Sequence, residues 1–407
     1  MFFFRDIPNY HGSATMSESD YHVSVPFFKP SIGKEEEEAV INVLRSGWLS
    51  TAKESLTFEK EFSDFIKCKH CLAVNSNTSG LVLAMEACGI KQGTKILTTP
   101  YTFISTATSA IHLGGEVVYA DIEKDNYSIS PERIEEKLKE DSSIKAIVPV
   151  HIGGNVCDMK AINEIASKYG VKVIEDAAHA FPALTKSGYA GTLGDIGVFS
   201  FYATKTITTG EGGMIATNDD ELAHRMTVMR LHGIDRSVWD RYTSNKTSWE
   251  YDVVAPGFKC NLPDILAALG RVQLTKANMF FEKRKKLVEL YNELFKDCDF
   301  IRLPPDSEGN SWHLYLMRII PEKLTITRNE LSNMLQAKGI GLSMHFIPHF
   351  HMTYMKKRYN ITPEMFPNAQ RQYETTLTIP LWPDMPEEMV EYTAETIKNI
   401  CKEHYVG

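Results

Sequence analysis

No apolar run in the chain approaches the ~20 residues needed to cross a bilayer, and Phe2-Phe3-Phe4 near its start is too short for the apolar part of a signal peptide. The cytoplasm is therefore the expected location. Cysteines are few and odd in number, 7 in 407 residues, which excludes a secreted disulfide scaffold. Cys68 and Cys71 form a lone CxxC with no second pair and no histidines at ligand spacing, so a structural zinc is disfavoured and Cys71 reads as the opening of a buried strand. Positive charge is short as well: 44 Lys and Arg stand against 52 Asp and Glu, a net charge of −8. Nucleic acids and acidic membranes are poor partners for such a surface, since both need a clustered basic excess. A local basic pocket for one anionic ligand is still compatible with it. The familiar catalytic signatures are missing too. No GxGxxG follows a strand, which speaks against nicotinamide and flavin binding, and no GxSxG, HExxH or P-loop occurs.

What is present is an ordinary globular composition, 43% hydrophobic and 24% charged, long enough for two or three domains. Residues 1–25 show no periodicity and read as a poorly ordered extension. The stretch 34–46 puts Val40, Val43 and Leu44 on one helical face, and Gly47 stops it. Short apolar runs at 71–75, 96–99, 117–122, 145–150, 171–175, 195–201 and 214–217 then alternate with amphipathic stretches. One such helix starts at Ser130-Pro131 and another runs from Asp158 to Gly170. Alternation of this kind, with strands apolar on both faces, predicts an α/β fold with a mostly parallel sheet covered by helices, spanning 26–262. From 263 the pattern changes. A long helical stretch (263–297) leads into a strand at 313–320, a helix with the capping box Thr327/Glu330 and the stop Gly339, and a last helix near Pro386. Residues 263–407 thus read as a linking helix and a smaller α+β domain.

The residues that carry chemistry fall at the C-terminal ends of the expected strands, where open α/β sheets bind ligands. Strand 171–175 ends in Asp176, followed by His179. A carboxylate there is costly to desolvate without a partner; it serves either as a helix cap or as a charge held against a cationic ring nitrogen. Strand 195–201 runs into Tyr202-Ala203-Thr204-Lys205 and then the turn Gly210-Glu211-Gly212-Gly213. A lysine after a strand is usually solvated, but this setting suits a partly desolvated amine of lowered pKa, as Schiff-base chemistry requires. Ser76-Asn77-Thr78-Ser79-Gly80, between a strand and a helix, makes either a plain N-cap by Thr78 or Ser79 or an anion site of backbone N–H groups at a helix start. Together the three form the parts list for pyridoxal phosphate (PLP).

IEDAAHA (174–180), FSFYATKTITTGEGG (199–213), RLHGIDRSVWDRY (230–242) and PGFKCNLPDILAALGRVQL (256–274) resemble the DegT-type family of PLP-dependent nucleotide-sugar aminotransferases over nearly the whole chain from Val25. The resemblance implies the fold type I architecture of aspartate aminotransferase and a homodimer with the active site at the subunit interface. It implies that Lys205 carries the cofactor covalently and that Asp176 pairs with its ring nitrogen. His179 would lie near its phenolic oxygen, Ser200, Thr78 and Ser79 would hold the phosphate, and Phe103 would stack on the ring. Asn261 would reach the phosphate from the partner subunit. His345 would line the sugar pocket, and His232, Trp239 and Arg241 would belong to a loop near substrate, or else to packing. Two departures stand out: Asn77 where the family's phosphate loop has glycine, and Thr51-Ala52-Lys53 where Gly-Pro often follows.

The expected reaction is transamination of a nucleotide-linked keto-deoxy sugar, UDP-linked 4-keto sugars fitting best, with glutamate as donor and PLP/PMP as cofactor, in the biosynthesis of surface polysaccharide or other modified sugars. Sugar dehydratases of the same family carry His where Lys205 stands, which weighs against them. A regulatory homologue without chemistry would be expected to have lost some of Asp176, His179, Ser200, Lys205 and Asn261.

Overall fold

A computed structural model describes residues 24–235 and 251–407. Seven strands make the central sheet: β1 (His70–Val74), β2 (Lys95–Thr98), β3 (Glu116–Tyr119), β4 (Ile144–Ile147), β5 (Lys172–Asp176), β8 (Ile196–Ser200) and β9 (Gly213–Thr217). Between β5 and β8 lies a small hairpin, β6 (Leu184–Thr185) and β7 (Gly188–Tyr189). The sheet order is β1-β9-β8-β5-β4-β2-β3. Its neighbours pair in parallel except at β9, which is antiparallel to both β1 and β8. This is the mostly parallel, helix-covered sheet expected from the alternating pattern, and it is consistent with fold type I.

Side chains alternate across the sheet with the period of two that strand geometry imposes. Leu72, Val74, Ile174, Ile196 and Val198 enter one core, while Cys71, Ala73, Val173 and Phe199 enter the other. The second core is organised around Phe62, whose ring lies 5.1–5.5 Å from those of Phe181, Phe199 and Phe201. Phe62 comes from the helix Lys53–Ile66, which buries Phe58, Phe62 and Ile66 along one face.

Helix ends follow local chemistry. Gly47 takes φ 73° after the helix Lys34–Ser46, and Gly170 takes φ 64° after Met159–Tyr169, whose Asp158 cap accepts from the Ala161 N–H. Thr327 and Glu330 form the expected capping box. The helical stretch read as one element from 263 is two helices, Asp264–Thr275 and Ala277–Phe295. The second packs on the helix Glu387–Glu403 beside a three-stranded antiparallel sheet of β10 (Ile301–Arg302), β11 (Tyr315–Ile319) and β12 (Thr376–Ile379). This unit has its own core, built on Tyr291, Tyr315, Leu331 and Ile397. Val25 joins it: the residue is fully buried and bridges in parallel to Ile340.

Among the described residues no helix is long and apolar enough to cross a membrane. No cluster of three or more His, Cys, Asp or Glu side chains suited to a metal occurs among them. All seven cysteines are free; Cys68 and Cys71 are buried, and the Cys68 thiol points to the His70 carbonyl.

Candidate active site

The edge of the sheet where β1, β5 and β8 end, and where the reversed strand β9 begins, opens into a cavity of about 340 Å³. Reversal of β9 explains why Glu211 and Gly212, which precede a strand, line the same cavity as Ser76, Asp176 and Ser200, which end or follow strands. Gly213 is what lets the two sides close. A Cβ there would stand 2.7 Å from the Phe199 carbonyl and 2.9 Å from the Asn77 nitrogen, so any larger residue would push the Ser76–Asn77 turn off the sheet.

That turn starts the helix Asn77–Ala87. Its cap is Ser76, whose Oγ accepts from the Ser79 N–H at 3.1 Å, so neither Thr78 nor Ser79 is the cap. Thr78 and Ser76 face the cavity; the Ser79 hydroxyl is bonded to Ser76 Oγ at 3.0 Å and is not part of the wall. Asn77 is not in a left-handed turn. It is the first helical residue, and its buried amide donates to the Val198 carbonyl at 2.9 Å and to Asp176 Oδ1 at 3.4 Å.

Asp176 is 4% exposed. Its carboxylate accepts from Thr106 Oγ1 at 2.8 Å, the Ala178 N–H at 3.3 Å and Asn77. Burial pushes its pKa up, opposed by these donors and by the positive charge of Lys205. Lys205 sits half-buried across the cavity, and its ammonium makes no hydrogen bond or close ion pair with the described residues. Burial lowers its pKa to about 8, against the pull of Asp176. His179 lies alongside, its Nδ1 accepting from the Gly153 N–H at 3.2 Å. Burial first, then Lys205 and His345, hold it well below the ordinary histidine range. A neutral imidazole that accepts at Nδ1 carries its proton on Nε2.

Phe103, Ser200 and His345 line the cavity with Phe346, Tyr202 and Thr204. Phe346 stacks on the His179 ring at 5.5 Å, and Phe103 is more than half exposed at the mouth. His345 holds the Thr378 hydroxyl through Nδ1 at 3.0 Å, and its pKa falls to about 3 through burial and the nearby Lys205.

His232, expected near substrate, stands elsewhere in this chain, and Asn261, expected to reach the partner subunit's site, lies outside its own. Asn261 bridges to Val74 and donates to Thr51 Oγ1, outside the cavity wall. His232 is exposed, with φ 60°, away from the cavity. Trp239 and Arg241 lie outside the described residues. The sequence reading missed Asn77 as a partner of Asp176, and missed Thr106 and Phe346. Thr106 ends PYTFIST, in the first turn of the helix Ser105–His112, a usable signal; Phe346 adjoins His345, far along the chain, and nothing local marks it.

The residues fit PLP. A buried carboxylate whose ionisation is penalised wants a cation facing it, as a protonated ring nitrogen would be. An amine of lowered pKa stands opposite, and a helix start lined by Ser76 and Thr78 suits a phosphate.

Comparison with known proteins agrees. The family model for the DegT/DnrJ/EryC1/StrS aminotransferase family matches residues 30–398. The spore coat polysaccharide biosynthesis protein SpsC of Bacillus subtilis is 42% identical over 382 residues, covering 93% of this chain and 97% of its own. A provisionally assigned sugar aminotransferase of Streptococcus pneumoniae, solved in its PMP form, superposes with a TM-score of 0.87 at 27% identity, covering 93% of this chain and 99% of the other. PseC of Helicobacter pylori, an aminotransferase involved in the biosynthesis of pseudoaminic acid, gives a TM-score of 0.86 at 28% identity, covering 93% and 100%. The chain belongs to the DegT/DnrJ/EryC1/StrS aminotransferase family and is a PLP-dependent aminotransferase.

Proposed function

We propose that this enzyme transfers an amino group from glutamate to the ketone of a nucleotide-linked keto-deoxy sugar, a UDP-4-keto-6-deoxy sugar or a close relative, in the making of polysaccharide or other modified sugars. The observation that carries the reading is the half-buried Lys205 amine facing buried Asp176 across a cavity open to solvent. Bound PLP supplies an electron sink for the carbon that gives up its proton. The protein's share is proton handling and positioning. Lys205 Nζ, neutral in a useful fraction because its pKa is about 8, takes a proton from the donor and returns it on the acceptor side. Asp176 holds a proton on the nitrogen that faces it, and Asn77 and Thr106 fix its carboxylate. His179 offers its Nε2–H to an oxygen, while Thr78 and Ser200, with the helix start that Ser76 and Ser79 hold in shape, offer donors to a phosphate. His345 and Phe346 wall the side where a sugar would enter; a role for His232, Trp239 and Arg241 toward that sugar is part of the same reading. Support for a sugar substrate comes from the relatives, among them the spore coat polysaccharide protein and the pseudoaminic acid enzyme.

Enzyme loaded with PMP and mixed with a panel of nucleotide keto-sugars should regain the PLP absorption with a UDP-linked 4-keto sugar and yield its amino product. Failure to respond to every member would overturn the substrate class, and a deoxygenated product would replace transamination by dehydration. Lys205→Ala should lower turnover by at least about 10²-fold while PLP still binds non-covalently; unchanged turnover would refute the role given to Lys205.

A further inference from the structure

A second cavity, of about 410 Å³, shares no wall residue with the first. Its charged lining is Lys124, Arg302, Arg318 and Arg371 against Asp125 and Glu322, two positive charges in excess. The chain as a whole carries a net charge of −8, so a local excess of positive charge stands out. Two of the cations are answered: Arg302 pairs with Asp125 at 2.6 Å and Arg371 with Glu322 at 3.0 Å, all four side chains exposed. Arg318 is not answered. It is 8% exposed, and its side chain's one hydrogen bond within the described residues is a long one, 3.3 Å, to the Asp125 carbonyl. Its Nε is buried without a partner, and its guanidinium lies 5.8 Å from the Tyr127 ring centroid. A buried guanidinium without a carboxylate is costly.

Strand register makes the arrangement worse. Arg302 of β10 stands directly opposite Arg318 of β11, and like charges facing one another across an antiparallel pair destabilise it. Nothing in the small domain's packing requires this pair: neighbouring positions on β11 are filled by Tyr315, Met317 and Ile319. Two guanidinium forks side by side, one of them desolvated, match the oxygens of a tetrahedral anion. The local excess of two charges equals the roughly −2 of a phosphate monoester at neutral pH.

We propose that this cavity is a binding site for a phosphate-bearing small molecule, distinct from the cofactor cavity, with Arg318 and Arg302 as its paired oxyanion ligands and Lys124 and Arg371 at its rim. β11 connects it to the active site. Arg318 lies five residues beyond His313, whose ring is 4.6 Å from that of His179, and an extended strand spans roughly 17 Å over that interval. Occupancy there can therefore be felt by the residue that packs on His179.

The test uses the PLP-loaded enzyme, so that the cofactor's own phosphate position is filled, with pyrophosphate as probe and chloride at matched ionic strength as control. The melting midpoint should rise saturably with pyrophosphate and not with chloride. Replacing the exposed pair, Arg302→Gln with Arg371→Gln, should raise the apparent Kd at least tenfold while the visible absorption of the cofactor stays unchanged. Arg318→Met should also lose the response and, unliganded, should melt no lower than the parent, because it removes a buried charge that no carboxylate answers. A parent without saturable response, or a double variant that responds like the parent, would overturn the proposal. Should Arg318→Met fail to fold, the double variant alone decides.

Discussion

Lys205 is half-buried, and the opposite charge of Asp176 does not bond to it directly. Its pKa of about 8 therefore lies far below the ordinary lysine value of 10.5. Covalent uptake of PLP needs the neutral amine, so the rate of uptake by cofactor-free enzyme should climb with pH through about 8 and level off above it. Asp176 raises that pKa, so Asp176→Asn should move the midpoint lower; stopped-flow absorbance across pH measures both, and a midpoint near 10.5 would contradict the burial argument. Asn77→Ala leaves Asp176 Oδ1 and the Val198 carbonyl short of a donor. Each keeps one other donor, the Ala178 N–H for Asp176 Oδ1 and the Ala177 N–H for the carbonyl, so a loss of about 1 kcal/mol is expected, read as weaker PLP affinity in a dialysis titration. Lys205 and Asp176 could be picked out of the sequence because an ionisable residue at the end of an apolar strand needs a reason to be there. Asn77 could not. In one dimension it reads as a turn residue, and only the folded sheet brings β5 and β8 beside it.

At the scale of elements, β5 carries two carboxylates in succession that face opposite ways. Glu175 is fully buried and accepts from the Gly191, Leu193 and Gly194 N–H groups at 2.6–2.7 Å and from His151 Nε2 at 2.9 Å. The Cys157 N–H donates to His151 Nδ1, so the imidazole's proton sits on Nε2 and points at Glu175. Glu175→Gln would turn an N–H₂ toward groups that are themselves donors. Destabilisation of roughly 3 kcal/mol is expected, visible as a lower urea midpoint with unchanged slope. Strand positions were legible because apolar runs of this length have few alternatives. The reversed direction of β9 was not, since a period of two is the same read either way. β12, with the sequence TLTI, was missed for a related reason: it is short, half threonine, and buried only because β11 lies against it.

For the molecule as a whole, a net charge of −8 is compatible with an anionic ligand because the cavity offers Lys205 and a helix start locally. The reading of the chain as a homodimer with shared active sites makes a specific demand on Asn261, which stays outside its own chain's cavity. Mixing Lys205→Ala with Asn261→Ala chains under conditions that exchange subunits should restore about a quarter of parental activity from two nearly inactive parents, because half the dimers are mixed and each holds one intact site. No recovery on mixing, with exchange verified, would remove Asn261 from the partner's site. Exposed Phe103 and Tyr202 at the cavity rim are the apolar surface such a partner would cover.

Glu175 and Asp176 share one peptide bond, the first holding the 191–194 loop and the second facing the cavity proposed for the cofactor. A strand shift that frees the loop would also move Asp176. On heating the loaded enzyme, the visible absorption of bound PLP and the far-ultraviolet helix signal should therefore vanish along one curve.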